Sequence, residues 1–267
     1  MKYALKKVRK ITIQDPATLE NKAILDELKS VQLTGGAEVV WADGADGAHL
    51  VGFDVNKVAA LVASNGAIDE GYLGLQVGSE METVENGKGI LFSETLTVDT
   101  ADTLITKYKA SGTVGNEIAY LYPIDSTGTP DRKNKLTQAA TATDAKTFAY
   151  DPATKEITLF TGSASVGTKF YVEYFPKFTT YEEISNDTDK FSDTGVVYVD
   201  CWFTDICTKK DVPLQLYLPS GKISGDIDLS FGDQAAIQNL NIEATTSCGV
   251  KSLWKLRKYN LEDVSNE

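Results

Sequence analysis

Residues 219–246 decide the fold. Pro219-Ser220-Gly221-Lys222-Ile223-Ser224-Gly225-Asp226-Ile227-Asp228-Leu229-Ser230-Phe231 leads through Gly232-Asp233-Gln234 to Asn239-Leu240-Asn241-Ile242-Glu243-Ala244. The first arm puts Ile223, Gly225, Ile227, Leu229 and Phe231 at one parity and Ser224, Asp226, Asp228 and Ser230 at the other. The return arm sets Leu240, Ile242 and Ala244 against Asn239, Asn241 and Glu243. Successive side chains of a strand point to opposite faces, so this alternation predicts a hairpin with one buried and one wet face. The wet face is acidic and amide-rich, with no Lys or Arg in either arm after Lys222.

The same texture extends upstream. Gly195–Cys207 alternates Val197, Val199, Cys201 and Phe203 against Tyr198, Asp200, Trp202 and Thr204. Val31–Trp41, interrupted by Gly35-Gly36, and Leu50–Ala63 read as the arms of a long hairpin. Its tip, Asp43-Gly44-Ala45-Asp46-Gly47, is small, acidic and glycine-rich. In the second arm Val51, Phe53, Val55, Leu61 and Ala63 are expected on one face. Asp69 is placed to cap a short helix carrying Tyr72, Leu73, Leu75 and Val77. At about ten residues, with Gly71 and Gly74 inside it, that helix survives only by packing on a sheet. Residues 11–30 are ambiguous: Asp15-Pro16 marks a turn, and Leu19–Leu28 has helical spacing but also suits an extended arm.

Between Thr97 and Lys177, strands expected at Glu117–Tyr122, Thr147–Tyr150, Glu156–Thr161 and Lys169–Phe175 are split by turns at Asp125–Pro130, Asp151–Lys155 and Gly162–Gly167. This reads as a small β-sandwich, residues 97–177, inserted into a larger β domain made of residues 1–96 and 178–267. The expected class is all-β, mainly antiparallel, with one short flanking helix.

Composition narrows the function. In 267 residues, 42% are hydrophobic and 24% charged, ordinary values for a chain with a buried core. No apolar run approaches the ~18 residues that cross a bilayer, and the basic start Met1–Lys7 lacks the apolar stretch of a secretory signal. A single histidine, His49, leaves no multi-His metal site and one candidate for a catalytic triad. Cys201, Cys207 and Cys248 form no CxxC motif, which reads as reduced thiols on strands. No glycine-rich stretch carries a phosphate-loop ending. Asp226 and Asp228, with Glu243, are the best glycosidase-like carboxylates, but they share a strand face with no aromatic groove beside them. Asp43–Asp46 and Asp187–Asp189 lack the calcium-loop spacing and suit surface turns. No catalysis, cofactor or metal is expected.

Charge is uneven. The formal net charge is −12, yet residues 1–10 hold five basic groups, Lys2, Lys6, Lys7, Arg9 and Lys10, and residues 251–258 hold Lys251, Lys255, Arg257 and Lys258, with no acid in either stretch. Such a body will not hold a polyanion by neutralising phosphates. Its basic ends suit either solvated tails or docking onto another copy of the chain. Long two-sided hairpins and unlike charged regions favour a subunit that closes into a ring, which removes open sheet edges.

Residues 213–246, from Pro213 to Gln234 with the return strand to Ala244, resemble the late hairpin of tailed-bacteriophage tail tube proteins. Residues 34–80, from Thr34-Gly35-Gly36 through Gly52-Phe53-Asp54 to the helix before Glu80, are similar to that family's early hairpin and helix. The resemblance implies a β-sandwich or barrel with a flanking helix. It further implies hexameric rings stacked into a tube, contacts with other tail proteins, and passage of double-stranded DNA without adhesion. It would place the chain in the virion tail, assembled in the host cytoplasm and away from membranes. On this reading Asp226, Asp228, Asn239, Asn241 and Glu243 face the lumen. Lys6, Lys7, Arg9, Lys10, Lys255, Arg257 and Lys258 form assembly arms, and Asp43 and Asp46 lie in an inter-ring loop. Compact members lack the middle module, which would decorate the exterior as an immunoglobulin-like domain or mark a different virion part, such as a capsid decoration or fibre-base protein. A carbohydrate-binding β module is the other alternative, against which residues 97–177 contain no Trp.

Overall fold

A computed structural model describes residues 2–85, 89–229 and 237–259. In chain order the elements are β1 (Tyr3–Gln14), β2 (Asn21–Leu25), β3 (Leu28–Asp43), β4 (His49–Asn65), α1 (Glu70–Val77) and β5 (Glu82–Glu85). These are followed by β6 (Phe92–Thr97), β7 (Thr103–Ile105), β8 (Tyr120–Pro123), β9 (Leu136–Gln138), β10 (Thr147–Asp151), β11 (Glu156–Leu159) and β12 (Lys169–Tyr174). The last are β13 (Thr180–Glu183), β14 (Thr194–Asp205), β15 (Asp211–Ile223), β16 (Gln238–Ala244) and β17 (Lys255–Lys258). The chain is all-β apart from one short helix among the described residues, and divides into two compact units, residues 1–82 with 184–267, and residues 83–183.

The first unit is one nearly closed, barrel-like sheet in the order β2-β1-β14-β15-β16-β4-β3, with β17 also paired to β15. Its inner face collects Ile11 and Ile13 of β1, Leu25 of β2, Leu61 of β4, Val197 and Val199 of β14, Leu218 of β15, and Leu240 and Ile242 of β16. Burying each such side chain is worth roughly 1.5–3 kcal/mol. Helix α1 adds Tyr72 and Leu75 to this core. Asp69 is its N-cap, its carboxylate accepting the Tyr72 N–H at 2.7 Å, and Gly78 ends it in the left-handed region at φ 72°. A Cβ at Gly71 would collide with the Lys22 carbonyl, so this glycine lets the helix lie against β2. The Asn241 N–H donates to the Tyr72 hydroxyl at 3.3 Å, and burial pushes that phenol up to about 12.

One alternative left open by the sequence is decided here and one expectation gives way. Residues 19–28 are no helix: Asn21–Leu25 is a strand on β1, with Ala23 and Leu25 inward and Ile24 exposed, and β3 starts at Leu28. An Asx turn at Asp15, which accepts the Ala17 and Thr18 N–H groups at 2.8 Å, precedes it. The late hairpin is also displaced. Gly221–Ile223 of the first arm pair with β16, and the Ser224 N–H still donates to the Asn241 carbonyl at 2.9 Å. Residues 225–228 leave the ladder, and an isolated bridge from Leu229 to Gln238 rejoins it. Ser224 donates its hydroxyl to Asp226 Oδ2 at 3.0 Å and accepts the Asp226 N–H at 3.2 Å, a local alternative to cross-strand pairing. Ile227, expected inward, is 39% exposed. The Ser230–Gln234 part of that hairpin, with Phe231, lies outside the described residues.

The second unit is a seven-stranded sheet, β6-β12-β8-β9-β10-β11-β7, antiparallel except for the parallel pair β9–β10. It has its own core, including Leu104, Ile118, Leu121, Phe148, Ile157 and Val172. β6, which precedes the 97–177 stretch, pairs along β12 from Lys169↔Thr97 to Tyr174↔Phe92. The β10–β11 hairpin runs from Phe148↔Leu159 to Asp151↔Glu156, and its turn has Asp151 accepting the Ala153 N–H at 2.8 Å. β5 and β13 form a separate two-stranded sheet.

Candidate assembly surfaces

The β3–β4 hairpin is the longest pairing of the chain, from Leu28↔Asn65 to Asp43↔His49. In its base half, Val31↔Ala63, Leu33↔Leu61 and Gly35↔Ala59 form the inner face, with Ala59, Leu61 and Ala63 buried. The register then shifts: Gly36 opposes Val58, but Glu38 opposes Val55, so β4 carries one extra residue. Asn56 sits there at φ 50°, and its amide donates to Glu38 Oε2 at 2.9 Å. Such a bulge reverses side-chain parity along the strand that contains it. Val51, Phe53 and Val55 therefore lie on the opposite face from Leu61 and Ala63, which corrects the single face expected for these five.

Beyond the bulge the hairpin carries exposed apolar side chains on both faces. One face holds Val40 opposite Phe53 and Ala42 opposite Val51; the other holds Val39 opposite Asp54 and Trp41 opposite Gly52. Val39, Val40, Trp41, Leu50, Val51 and Phe53 are all exposed. A Cβ at Gly52 would sit 2.9 Å from Trp41 Cζ3, so this glycine leaves room for the indole to lie across the partner strand. At the tip Trp41 stacks on His49 with centroids 4.8 Å apart, and His49 Nδ1 lies 2.6 Å from Asp43 Oδ1. Asp46 is exposed in the turn, where Gly47 donates to the Gly44 carbonyl at φ 74°.

A second surface is the outward face of β16, β4 and β3. Asn239 lies beside Ser64 and Ser30, Asn241 beside Val62 and Gln32, and Glu243 beside Ala60 and Thr34. Ser30 and Ser64 join hydroxyls at 2.9 Å. The segments 30–34, 60–64 and 239–243 contain no Lys or Arg. Of the five carboxylate and amide residues expected together, Asn239, Asn241 and Glu243 share this face, and Asp228 reaches it by accepting the Asn239 amide at 2.8 Å. Asp226 stands apart in the Ser224 turn, its carbonyl taking the Gln76 amide at 2.9 Å.

The basic ends are paired strands, which removes the detached-tail reading. Lys6, Lys7, Arg9 and Lys10 lie on β1, whose ladder with β14 shifts between Leu5 and Lys7 and again between Val8 and Lys10. Lys6 pairs with Asp211, holding that carboxyl below the usual carboxylate range, and Lys10 reaches Asp200 at 3.8 Å. Lys255, Arg257 and Lys258 lie on β17; Arg257 covers the Tyr217 ring at 4.1 Å and Lys258 donates to the Tyr3 hydroxyl at 2.8 Å. β2 pairs only with Ile11–Gln14, so among the described residues Tyr3–Lys10 is an edge guarded by two bulges and four basic side chains. Lys7, Arg9 and Lys255 are exposed.

Sequence alternation located the Asn239–Glu243 face. It missed the two-sided apolar hairpin, although Val39-Val40-Trp41-Ala42 and Leu50-Val51-Gly52-Phe53 carry apolar residues at both parities. Among the described residues no three His, Cys, Asp or Glu side chains converge as a metal site, and no helix is long and apolar enough to cross a membrane. Compared with known proteins, the chain matches the model of the YomU/Tube protein family over residues 3–252. No curated protein matches it.

Proposed function

The chain belongs to the YomU/Tube protein family, and from that premise we propose that it is a structural subunit of a phage tail tube, closing into hexameric rings that stack and let double-stranded DNA pass. The observation that carries this reading is the distal β3–β4 hairpin. An exposed strand pair with apolar side chains on both faces needs cover on both faces, and one copy of the chain supplies neither. Neighbouring copies within and between rings would supply both.

The outward face of β16, β4 and β3 is the surface we assign to the lumen. Its amides and hydroxyls are strongly hydrated, and Glu243 and Asp228 repel phosphate. Each Lys or Arg contact to DNA would instead be a salt-dependent trap. The basic edge of β1 and the β17 cations then serve contacts between copies or with other tail proteins. The role is mechanical, without catalysis or cofactor, and belongs to the virion tail after assembly in the host cytoplasm.

Negative-stain imaging of the purified protein tests this directly. Rings with a central lumen, or stacked tubes, are expected; isolated particles at every concentration and salt would overturn it. In assembled protein, Asn239→Lys, Asn241→Lys and Glu243→Lys together should raise DNA retention, with a steep fall as salt increases. Retention that stays at the wild-type level would move this face out of the lumen.

A further inference from the structure

The second unit carries an aromatic row that its fold does not use. Tyr171 on β12 lies opposite Tyr122 on β8, and Tyr120 continues the row two residues along. The ring centroids are 6.3 Å apart for Tyr122–Tyr171 and 6.1 Å for Tyr120–Tyr122. The alternating residues Leu121, Phe170 and Val172 fill the core, whereas all three tyrosines face outward. Thr95 and Ser93 of β6 stand beside Tyr171 and Glu173 in the ladder, so hydroxyl side chains flank the row on that side.

An open basin of about 900 Å3 lies over Tyr122 and Tyr171, walled by Glu173 and the 125–133 loop. The loop is held rigidly by its own aspartates. Asp125 accepts the Thr127 hydroxyl at 2.6 Å and the Thr129 N–H at 3.1 Å, while Asp131 accepts the Asn134 amide at 2.7 Å and the Lys133 N–H at 3.0 Å. These bonds keep both carboxyls below the usual carboxylate range. Arg132 and Lys133 project from this fixed turn and are exposed. The Tyr171 hydroxyl donates to Glu173 Oε1 at 2.8 Å, which leaves the other carboxylate oxygen as an acceptor toward the basin. Lys135 already covers the Tyr120 ring, its Nζ 3.7 Å from the centroid, so Tyr122 and Tyr171 are the open rings.

The chemistry of this rim selects its ligand. A polyanion would meet Asp125, Asp131 and Glu173. An apolar peptide would find Pro130 as the one aliphatic contact among the lining residues, the others being tyrosines, threonine and charged side chains. A sugar ring offers an apolar C–H face to an aromatic floor, with hydroxyls that both donate and accept, and here the donors Arg132 and Lys133 and the acceptors Asp125, Asp131 and Glu173 line such a floor. We propose that the basin is a saccharide-binding site, in which a sugar ring stacks on Tyr122 and Tyr171 while Arg132 and Glu173 bond its hydroxyls. The site lies wholly within residues 83–183 and does not depend on the tube reading.

The test is affinity electrophoresis of the full chain through native gels. The gels contain a soluble β-1,4-glucan, an α-1,4-glucan or a galactomannan, with heparin and a single-stranded oligonucleotide as polyanion arms. Retardation by at least one neutral polysaccharide is expected, weakened tenfold or more in Tyr122→Ala and in Tyr171→Ala, and also in Arg132→Ala, which leaves the floor intact. Tyr122→Thr and Tyr171→Thr, which suit a strand, guard against a folding defect and should lose retardation equally. No retardation in any of the three neutral gels, or retardation unchanged in these variants, overturns the proposal. So does tyrosine-dependent binding of heparin or the oligonucleotide alone, which would make the site one for polyanions.

Discussion

The two halves of the β3–β4 hairpin are built from similar residues and meet opposite fates. In the base half, β3 alternates apolar and polar positions, Leu61 and Ala63 of β4 are 1% and 3% exposed, and the outward Val58 and Val62 are 63% and 43% exposed. In the distal half, Val39, Val40, Trp41, Leu50, Val51 and Phe53 are 42–67% exposed. Hydrophobicity alone does not decide burial; parity does. A strand pair with one apolar face is satisfied by its own core, while a pair apolar on both faces needs partners on both. The Asn56 bulge marks the boundary between the two regimes, since it ends the register that feeds the core.

The largest effect that would break this comparison is at the base. Leu61→Ala should cost about 2–5 kcal/mol in denaturant unfolding of the unassembled chain, because it opens a cavity in a closed core. Phe53→Ala should cost no more than about 0.5 kcal/mol, as an exposed site does. Equal costs would mean that the distal half already packs within one copy.

A mid-sized effect sharpens the same contrast at the helix that closes the base. Asp69→Ala should lose about 1 kcal/mol with the N-cap, read as a lowered unfolding midpoint. Burial raises the Asp69 carboxyl above its ordinary value, so the fold favours the protonated form. The native state then binds more protons than the unfolded state over that range, and this residue's contribution falls as pH rises through it. Asp69→Asn keeps the acceptor without the charge, so its stability relative to wild type should improve from pH 3 to pH 7. A constant difference would show that the desolvated charge is not what raises that carboxyl.

The smallest effect is at the tip. His49→Gln removes the stacking on Trp41 and the contact with Asp43, yet both side chains are more than half exposed. The unfolding midpoint of the unassembled chain should stay within experimental error, as is usual for an exposed pair. A clear drop would mean that the tip contributes to the fold itself.

Much of this was legible in the sequence because alternation is a local signal. The return arm Asn239–Ala244, the Asp69 cap and the Phe148–Leu159 hairpin are all where alternation and cap chemistry put them. What escaped depends on competition or on distance. The Ser224 hydroxyl bonds Asp226 where the strand leaves the ladder, just past the Ser224 N–H to Asn241 carbonyl bond, and a single residue in the left-handed region at Asn56 inverts the side-chain parity of Val51–Val55 on β4. Leu19–Leu28 suited either a helix or an extended arm, and the pairing of Asn21–Leu25 with β1, which buries Ala23 and Leu25, decides for the extended arm. The tyrosine row joins residues some fifty positions apart (Tyr122 and Tyr171), so only the register reveals it.

The most direct measurement is sedimentation velocity of the wild-type chain and of the double variant Val40→Asp with Phe53→Asp across a concentration series. If the distal hairpin is the surface between copies, the wild type sediments as rings or longer assemblies, while the variant remains a folded 29.0 kDa species with an unchanged unfolding midpoint. A wild type that stays monomeric throughout, or a variant that assembles as the wild type does, would contradict it.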